Sequence, residues 1–375
     1  MLLAKLVTNK KVNTNRGSSM KSFNEIIYDV TKFGRKIKTS DYMGNGKYPI
    51  IDQGKNLISG YTNEENGIFV DVPAIIFGDH TRILKYIDTP FFLGADGTKI
   101  LKAKNENCNL KFIYYALKNI KIPDTGYNRH YKWLKESSII YPAIEHQDKI
   151  ANILDRITSI ITLKKQQLVF LEKLKHSLFV EMFGDKAHIL TMNDLCNIIT
   201  DGTHQSPKFV SDGIPFLFVS NVSENKISYD TGKFISIDTY KELYKRTPIE
   251  KYDILLSTVG SYGHPAIVKS NKKFLFQRHI AYLKPKKELI NSIYLHAAIL
   301  SDEVQRQIES KVKGIAQKTL NLSEIKTLKI PLPSMTEQNI FATIVEKIDK
   351  HKSVVQKSLD ETQILFDSLM QKYFG

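Results

Sequence analysis

Only two cysteines, Cys108 and Cys196, and a single tryptophan stand among the 375 residues. Two thiols exclude a disulfide framework and suit a reducing compartment. Neither has a second cysteine at metal-ligand spacing, so no structural zinc site is expected. No apolar run approaches the roughly 20 residues of a membrane-spanning helix. The N-terminal MLLAKLVTNKKVNTNRGSS lacks a sustained apolar stretch of signal-peptide length, so the expected location is cytoplasmic, with no membrane partner. Catalytic signatures are missing too. There is no G-x-x-x-x-G-K-[ST] phosphate loop, no H-E-x-x-H, and no Gly-rich turn paired with an Asn/Asp-Pro-Pro-aromatic tetrapeptide of the kind used by adenine-methylating enzymes. Asp79-His80 and Asp201-Gly202-Thr203-His204 set an acid beside an imidazole. General acid–base catalysis also needs a second positioned group, and none can be named. The expectation is a chain with no catalytic, cofactor-binding or metal-binding residues of its own.

What is present is positive charge. Lysine and arginine number 54 against 39 acidic residues, a net charge of +15. Such an excess suits a polyanionic partner, because cations that neutralise phosphates release condensed counterions. A lysine-rich surface without such a partner gives the same count. The length suggests two or three domains, and a 42% hydrophobic content allows sizeable cores.

The chain also contains itself twice. Pro142 to Gly184 aligns without a gap on Pro333 to Gly375, with identities at Pro142/Pro333, Gln147/Gln338, Ala151/Ala342, Ile153/Ile344, Ile157/Ile348, Leu168/Leu359, Ser177/Ser368, Leu178/Leu369, Phe183/Phe374 and Gly184/Gly375. Each copy reads as one long helix. Proline suits the boundary before it and glycine the cap after it. Apolar residues step by three and four through Ile150, Leu154, Ile157, Ile161, Leu168, Leu171, Leu178 and Met182, and again through Phe341, Val345, Ile348, Val355, Leu359, Phe366 and Leu369. This is a heptad-like stripe, interrupted at Lys164, Lys175, Lys352 and Thr362. The segments ahead of the two helices correspond as well. Each has an early Asp, then an extended stretch (KYPIIDQGKNL, GIPFLFVSNV), then a β-rich run (VPAIIFGDHTRILKYI, YDILLSTVGSYGHPAIV). The order is domain, helix, domain, helix.

Three stretches read as binding loops. DGTHQSPKF offers Thr203, His204, Gln205, Ser206 and Lys208 between the turn formers Gly202 and Pro207. STVGSYGHPAIV carries Ser261, Tyr262 and His264 around glycines that permit close backbone approach. TGYNRHYKWLK interleaves Arg129, His130, Lys132 and Lys135 with Tyr127, Tyr131 and Trp133. Basic side chains position phosphates, while Gln, Asn, Arg, Ser and Thr read base edges. Each stretch reads equally well as a solvated loop, and Tyr131 and Trp133 as the edge of a core.

On these residues the sequence resembles the specificity subunits of type I restriction–modification systems. DGTHQSPKFVSDGIPFLFVSNV, DILLSTVGSYGHPAIV, FQRHIAYLKP and LKIPLPSMTEQNIFATIV are similar to one kind of target-recognition domain. YPIIDQGKNLISGYT, IIFGDHTRILKYIDTPFFLGADGTKIL and IEHQDKIANILDRI are similar to another. The resemblance spans residues 23 to 375. It implies an α+β fold, in which two mixed α/β target-recognition domains (residues 23–141 and 188–332) alternate with two long helices (142–187 and 333–375) that pair as an antiparallel coiled coil. Residues 1–22 are expected to be a disordered N-terminal extension, either preceding a true start at Met20 or lying as an arm on DNA.

The resemblance further implies a non-catalytic subunit that reads a bipartite, asymmetric target in double-stranded DNA. It implies docking with two methyltransferase subunits and with restriction translocase–nuclease subunits. S-adenosylmethionine, ATP and Mg2+ would be bound by those partners. It adds Arg82, Lys85 and Arg278, within the matching segments, to the DNA-binding candidates. Two other readings compete: the recognition portion of a single-chain restriction–modification enzyme, and a coiled-coil scaffold with basic lobes. A neighbouring gene for a separate methyltransferase discriminates the first, and sequence-specific DNA binding excludes the second.

Overall fold

The structure, a computed structural model, describes residues 19–94, 96–184, 188–314 and 318–375. It divides into two compact units, Met1–Lys164 with Ser358–Gly375, and Lys165–Lys357.

The first unit contains strands β1 (Ser19–Ser22), β2 (Ile27–Asp29), β3 (Tyr48–Ile51), β4 (Gly60–Thr62), β5 (Ala74–Gly78), β6 (Leu84–Ile87), β7 (Phe92–Leu93), β8 (Thr98–Ala103) and β9 (Ser138–Tyr141). Its helices are α1 (Phe23–Ile26), α2 (Leu110–Asn119), α3 (Tyr131–Lys135) and the first part of α4 (Ile144–Phe183). An antiparallel sheet runs in the order β2-β8-β5-β6. Every residue of β5, AIIFG, is buried, as a continuous apolar run in an inner strand requires. A smaller sheet, β4-β3-β7, includes a parallel pair in which Ile50 faces Phe92.

The second unit repeats this plan with β10 (Ile189–Thr191), β11 (Cys196–Asp201), β12 (Phe209–Val210), β13 (Ile214–Leu217), β14 (Val222–Ser223), β15 (Lys226–Ile227), β16 (Phe234–Ile235), β17 (Ile254–Ser257), β18 (Pro265–Ile267), β19 (Leu275–Phe276), β20 (Ile280–Pro285) and β21 (Lys329–Pro331). Its helices are α5 (Met192–Leu195), α6 (Ile237–Tyr244), α7 (Ser292–Ile299), α8 (Asp302–Lys311), α9 (Leu322–Lys326) and the first part of α10 (Met335–Phe374). The sheet β11-β20-β17-β18 has the chain order of β2-β8-β5-β6, and β13 with β19 forms the parallel pair, Phe216 facing Leu275.

Each unit also ties its first strand to the strand that enters a long helix: β1 to β9 and β10 to β21, both antiparallel. Residues 19–22 are therefore β1, hydrogen-bonded in register from Ser19–Tyr141 to Ser22–Ser138. This corrects the expectation of a disordered segment reaching residue 22. Alternate polar residues hid the strand, whose stability comes from a partner more than a hundred residues away. Residues 1–18 lie outside the described residues.

Within each unit the segments of α4 and α10 run antiparallel. In the first unit, Tyr115 links Asp155 (2.7 Å from its hydroxyl) to Phe366 (ring centroids 6.3 Å apart), while Lys164 reaches back to Ser358 and Thr362. In the second, Glu172 pairs with Lys352, Lys175 with Asp349 at 3.1 Å, and Phe183 packs on Phe341 at 5.4 Å. The apolar stripe lies in the seam: Ile150, Leu154, Ile157, Ile161, Phe341, Val345, Ile348, Val355, Leu359 and Phe366 are buried. The four residues that interrupt the stripe are those that find polar partners across it. Lys164 donates to the Ser358 carbonyl (2.9 Å), the Ser358 hydroxyl (2.6 Å) and the Thr362 hydroxyl (2.8 Å). An ammonium has three hydrogens, so its donors are filled without a carboxylate. At the far end of the second unit's seam, Phe179, Phe183, Tyr294 and Phe341 pack as an aromatic cluster. Truncating such a ring to alanine costs about 3–5 kcal/mol.

Candidate nucleic-acid interface

In the second unit β11 ends at Asp201, and the chain then folds back on the turn between β19 and β20. Gly202 makes this possible, because a Cβ there would overlap the carbonyl oxygens of Phe276 and Gln277. The Thr203 N–H donates to the Phe276 carbonyl (2.9 Å), and the Arg278 N–H to the Thr203 carbonyl (3.0 Å). These bonds bring His204, Gln205 and Ser206 to the same surface as Gln277, Arg278 and His279. Together with Phe216 and Phe218 they line a shallow depression of about 260 Å³. A second depression of about 290 Å³ adjoins it, lined by Thr203, His204, Gln205, Leu243, Arg246 and Thr247.

Asp201 organises the rim, with one carboxylate oxygen 2.8 Å from His204 Nε2 and the other 2.7 Å from Arg246. Burial, reinforced by the neighbouring Arg278 cation, pushes the His279 pKa down. His279 Nε2 accepts the Arg278 Nε–H at 3.4 Å. The surface is polar, cationic and concave, with Arg278, Gln205 and Ser206 exposed as base-edge readers require. Lys208 is exposed beyond the rim.

The STVGSYGH loop is held at its base. Ser257 Oγ accepts the His264 N–H at 3.0 Å, and the Thr258 N–H donates to the His279 carbonyl at 3.1 Å. Of its candidates, Ser261 is exposed, Tyr262 packs against the unit's core, and His264 is half-buried with Nδ1 3.4 Å from Asn225 Oδ1. None of the three lines the two depressions.

In the first unit the equivalent surface gathers around Gln53, at the end of β3. Its amide oxygen accepts the His80 N–H (3.1 Å), its amide nitrogen donates to the Asp96 carbonyl (2.9 Å), and its own carbonyl accepts the Thr81 hydroxyl (2.6 Å). One side chain thus fixes two loops. Asp79 fixes a third: its carboxylate accepts the Tyr131 N–H at 2.7 Å and its carbonyl accepts the His130 N–H at 2.8 Å. Asp96, hydrogen-bonded to Lys36 at 2.5 Å with Arg129 nearby, has its carboxyl held below the usual range. Arg129 and Lys132 are exposed, and Lys132 lies over the Trp133 ring. Arg82, in the left-handed conformation at φ +61°, pairs with Asp124 at 2.8 Å.

Two candidates are corrected. Lys85 is only 4% exposed, and its ammonium donates to the Asp52 carbonyl at 2.7 Å. On β6 it shares the inward face with Ile87, as the two-residue period dictates. His130 is 1% exposed, its ring nitrogens 3.0 Å from the Asp79 carbonyl and 3.3 Å from the Thr125 hydroxyl. Both are supports beneath the surface rather than contacts on it. Tyr131, edge-on to Phe23 at 5.9 Å, is the edge of the core. Gln53, Asp96, Arg246, Gln277 and His279 were not singled out by sequence. The usable signal is position: Gln277 directly follows a short parallel-paired apolar strand, and Gln53 follows another after Asp52.

Among the described residues, no group of three or more His, Cys, Asp or Glu could hold a metal ion. No helix among them is long and apolar enough to cross a membrane.

A duplicated lobe, a paired-helix seam in each unit and polar, cationic loop surfaces are the features of a nucleic-acid recognition protein. The family model described as the type I restriction modification DNA specificity domain matches residues 20–173 and 186–361, and the chain belongs to that family, the non-catalytic DNA-recognition component of such systems. Over 183 residues it is 28% identical to the specificity subunit of the type I restriction enzyme EcoBI of Escherichia coli, covering 49% of this chain and 38% of that protein. It thus spans well under two thirds of that relative. Over 355 residues it is 22% identical to the EcoR124I/EcoR124II specificity subunit of the same organism, covering 88% of this chain and 87% of the other. The fold matches the crystal structure of a type I restriction–modification S subunit from M. genitalium with a TM-score of 0.65 over 98% of each chain, at 19% identity.

Proposed function

We propose that this chain reads a bipartite, asymmetric site in double-stranded DNA, one half through each unit. The observation that carries this reading is duplication with divergence. The same strand order carries loops that expose Arg129 and Lys132 in one unit and Gln205, Ser206, Arg278 and Lys208 in the other. Different side chains on one framework read different bases. In this reading the chain, cytoplasmic and bound to no cofactor, assembles with two methyltransferase subunits and with restriction translocase–nuclease subunits, which bind S-adenosylmethionine, ATP and Mg2+. Exposed apolar residues on the long helices support docking: Ile160, Leu163 and Phe170 on α4, and Val354 and Ile364 on α10.

The test is a graft. Replacing the segment between Gly184 and Pro333 with that of another specificity subunit, expressing it with the methyltransferase, and mapping methylated adenines should change one half of the target only. A change in both halves, or a continuous site, overturns the bipartite reading.

A further inference from the structure

Tyr127 is 87% exposed, yet one face of its ring is backed by a second ring. Its ring lies flat on the His80 imidazole, with centroids 4.7 Å apart and planes 7° from parallel. His80 is fixed from two sides, by its N–H on Gln53 Oε1 and by Nδ1, which donates to the Asn128 carbonyl at 3.2 Å. The loop that carries Tyr127 is closed on itself: the Gly126 N–H donates to Asp124 at 3.1 Å, the Asn128 N–H to the Gly126 carbonyl at 2.8 Å, and the Asn128 amide to the Thr125 carbonyl. Gly126, at φ +74°, permits the turn. Asp124 is in turn gripped by Arg82, and its carboxyl is held below the usual range by the Gly126 N–H and by Arg82. The result is a two-ring stack braced by its loop's hydrogen bonds and open on its outer face, with Arg82, Arg129 and Lys132 carried on the loops that build it.

We propose that Tyr127, backed by His80, is a stacking contact for a nucleobase turned out of the duplex in the half-site read by the first unit, because a base within the helix has both faces covered by its neighbours. The inference rests on the DNA-reading function proposed above and adds to it a contact that reads no hydrogen-bonding edge. An exposed ring without a partner loses apolar free energy to water, and a flexible one would collapse onto the surface. Preorganising it outward is useful only if something flat covers it. With Arg82 paired to Asp124, the exposed cations of Arg129 and Lys132 on these loops favour a polyanion, and a polyanion with flat aromatic faces is a nucleic acid. Stacking of this kind tolerates any base, so the contact adds affinity and fixes register without specifying sequence.

The experiment uses the full chain with its methyltransferase and, as probe, the duplex that this complex selects from a randomised DNA library. Tyr127→Ala should weaken binding about five- to 150-fold with the slope of affinity against salt unchanged, because no charge is lost. Tyr127→Phe should bind like the original chain. Removing single bases from the first unit's half of the site should abolish the Tyr127→Ala penalty at one position and leave it intact elsewhere, as coupled partners in a double-mutant cycle behave. Unaltered binding by Tyr127→Ala overturns the proposal. So does an equal loss in Tyr127→Phe, which would assign the effect to the hydroxyl, or a penalty that persists on every abasic duplex, which would place the ring on the backbone. Arg129→Ala and Lys208→Ala report on the underlying reading. If they weaken binding while Tyr127→Ala does not, the stack alone is refuted. If the complex selects no duplex, the recognition function itself fails.

Discussion

Gln338 Oε1 accepts the N–H of Asn291 at 2.8 Å, locking the start of the long C-terminal helix to the first turn of α7. The Gln338 amide nitrogen donates to the carbonyls of Pro333 (3.0 Å) and Leu289 (3.2 Å), and Asn291 itself caps α7 through Ile293 and Tyr294. The first unit repeats the device: Gln147 accepts from the Asn109 N–H at 3.1 Å and donates to the Pro142 carbonyl at 2.8 Å, while Asn109 caps α2. Both glutamines are almost wholly buried. The Pro-x-x-x-x-Gln identity of the two repeats is thus a joint between lobe and helix.

Replacing Gln338 with alanine leaves one N–H and two carbonyls without their partner, the Pro333 carbonyl among them buried. The expected loss is about 1–3 kcal/mol. Gln147→Ala should act in the same direction on the first unit. Thermal or urea unfolding measures both, and an unchanged midpoint for Gln338→Ala would show that these bonds contribute nothing net.

Lys164 and Thr362 should couple. Thr362→Val removes one of three acceptors from a half-buried ammonium and is expected to cost about 1–2 kcal/mol. With Lys164→Leu added, the seam becomes apolar at that level and most of the loss should be recovered. A double mutant as unstable as the sum of the single losses would show that the lysine is not what penalises the valine.

His296 predicts an acid-sensitive second unit. Burial, then the nearby Lys175 cation, pushes its pKa from 6.5 down to about 4, despite the Pro265 carbonyl 3.1 Å from Nε2. Lys269 and Asp349 also act on it, in opposite directions. The folded pKa is the lower one, so the unfolded chain takes up the proton first. The stability tied to neutral His296 is complete above about pH 6.5 and is lost as pH falls toward about 4, by roughly 3 kcal/mol in all at about 1.4 kcal/mol per unit. Asp349 shifts the same way at lower pH: burial raises its pKa, but the Lys269 hydrogen bond and the Lys175 and Lys269 cations outweigh it. Unfolding free energies between pH 7.5 and 4.5 should fall steeply for the original chain and less for His296→Gln. Parallel curves would remove His296 as the cause.

Lys208 and Arg278 should fail differently. Lys208 stands outside the depression that Arg278 lines. Lys208→Ala is expected to weaken binding evenly across DNA sequences and to lower the salt slope by about one. Arg278→Ala should relax discrimination by roughly 1–3 kcal/mol at one position in the half-site of the second unit. Competition binding at two salt concentrations separates the two, and identical behaviour would refute the division of labour.

The sequence by itself determined the repeat, the two long helices and their buried stripe. Those features are periodic and local: Ile150, Leu154, Ile157 and Ile161 fall on one face because a helix turns every 3.6 residues. It also determined the excess of positive charge and the loops rich in polar groups. Tertiary structure alone decided which loop residues face outward together. Thr203 meets Phe276 and Arg278 through backbone bonds between segments far apart in the chain, and no local pattern encodes such a meeting. It decided, too, that Lys85 and His130 turn inward. A cation or an imidazole enters the interior only where a carbonyl such as that of Asp52 or Asp79 is already in place to replace water, and that partner is supplied by a segment distant in the chain.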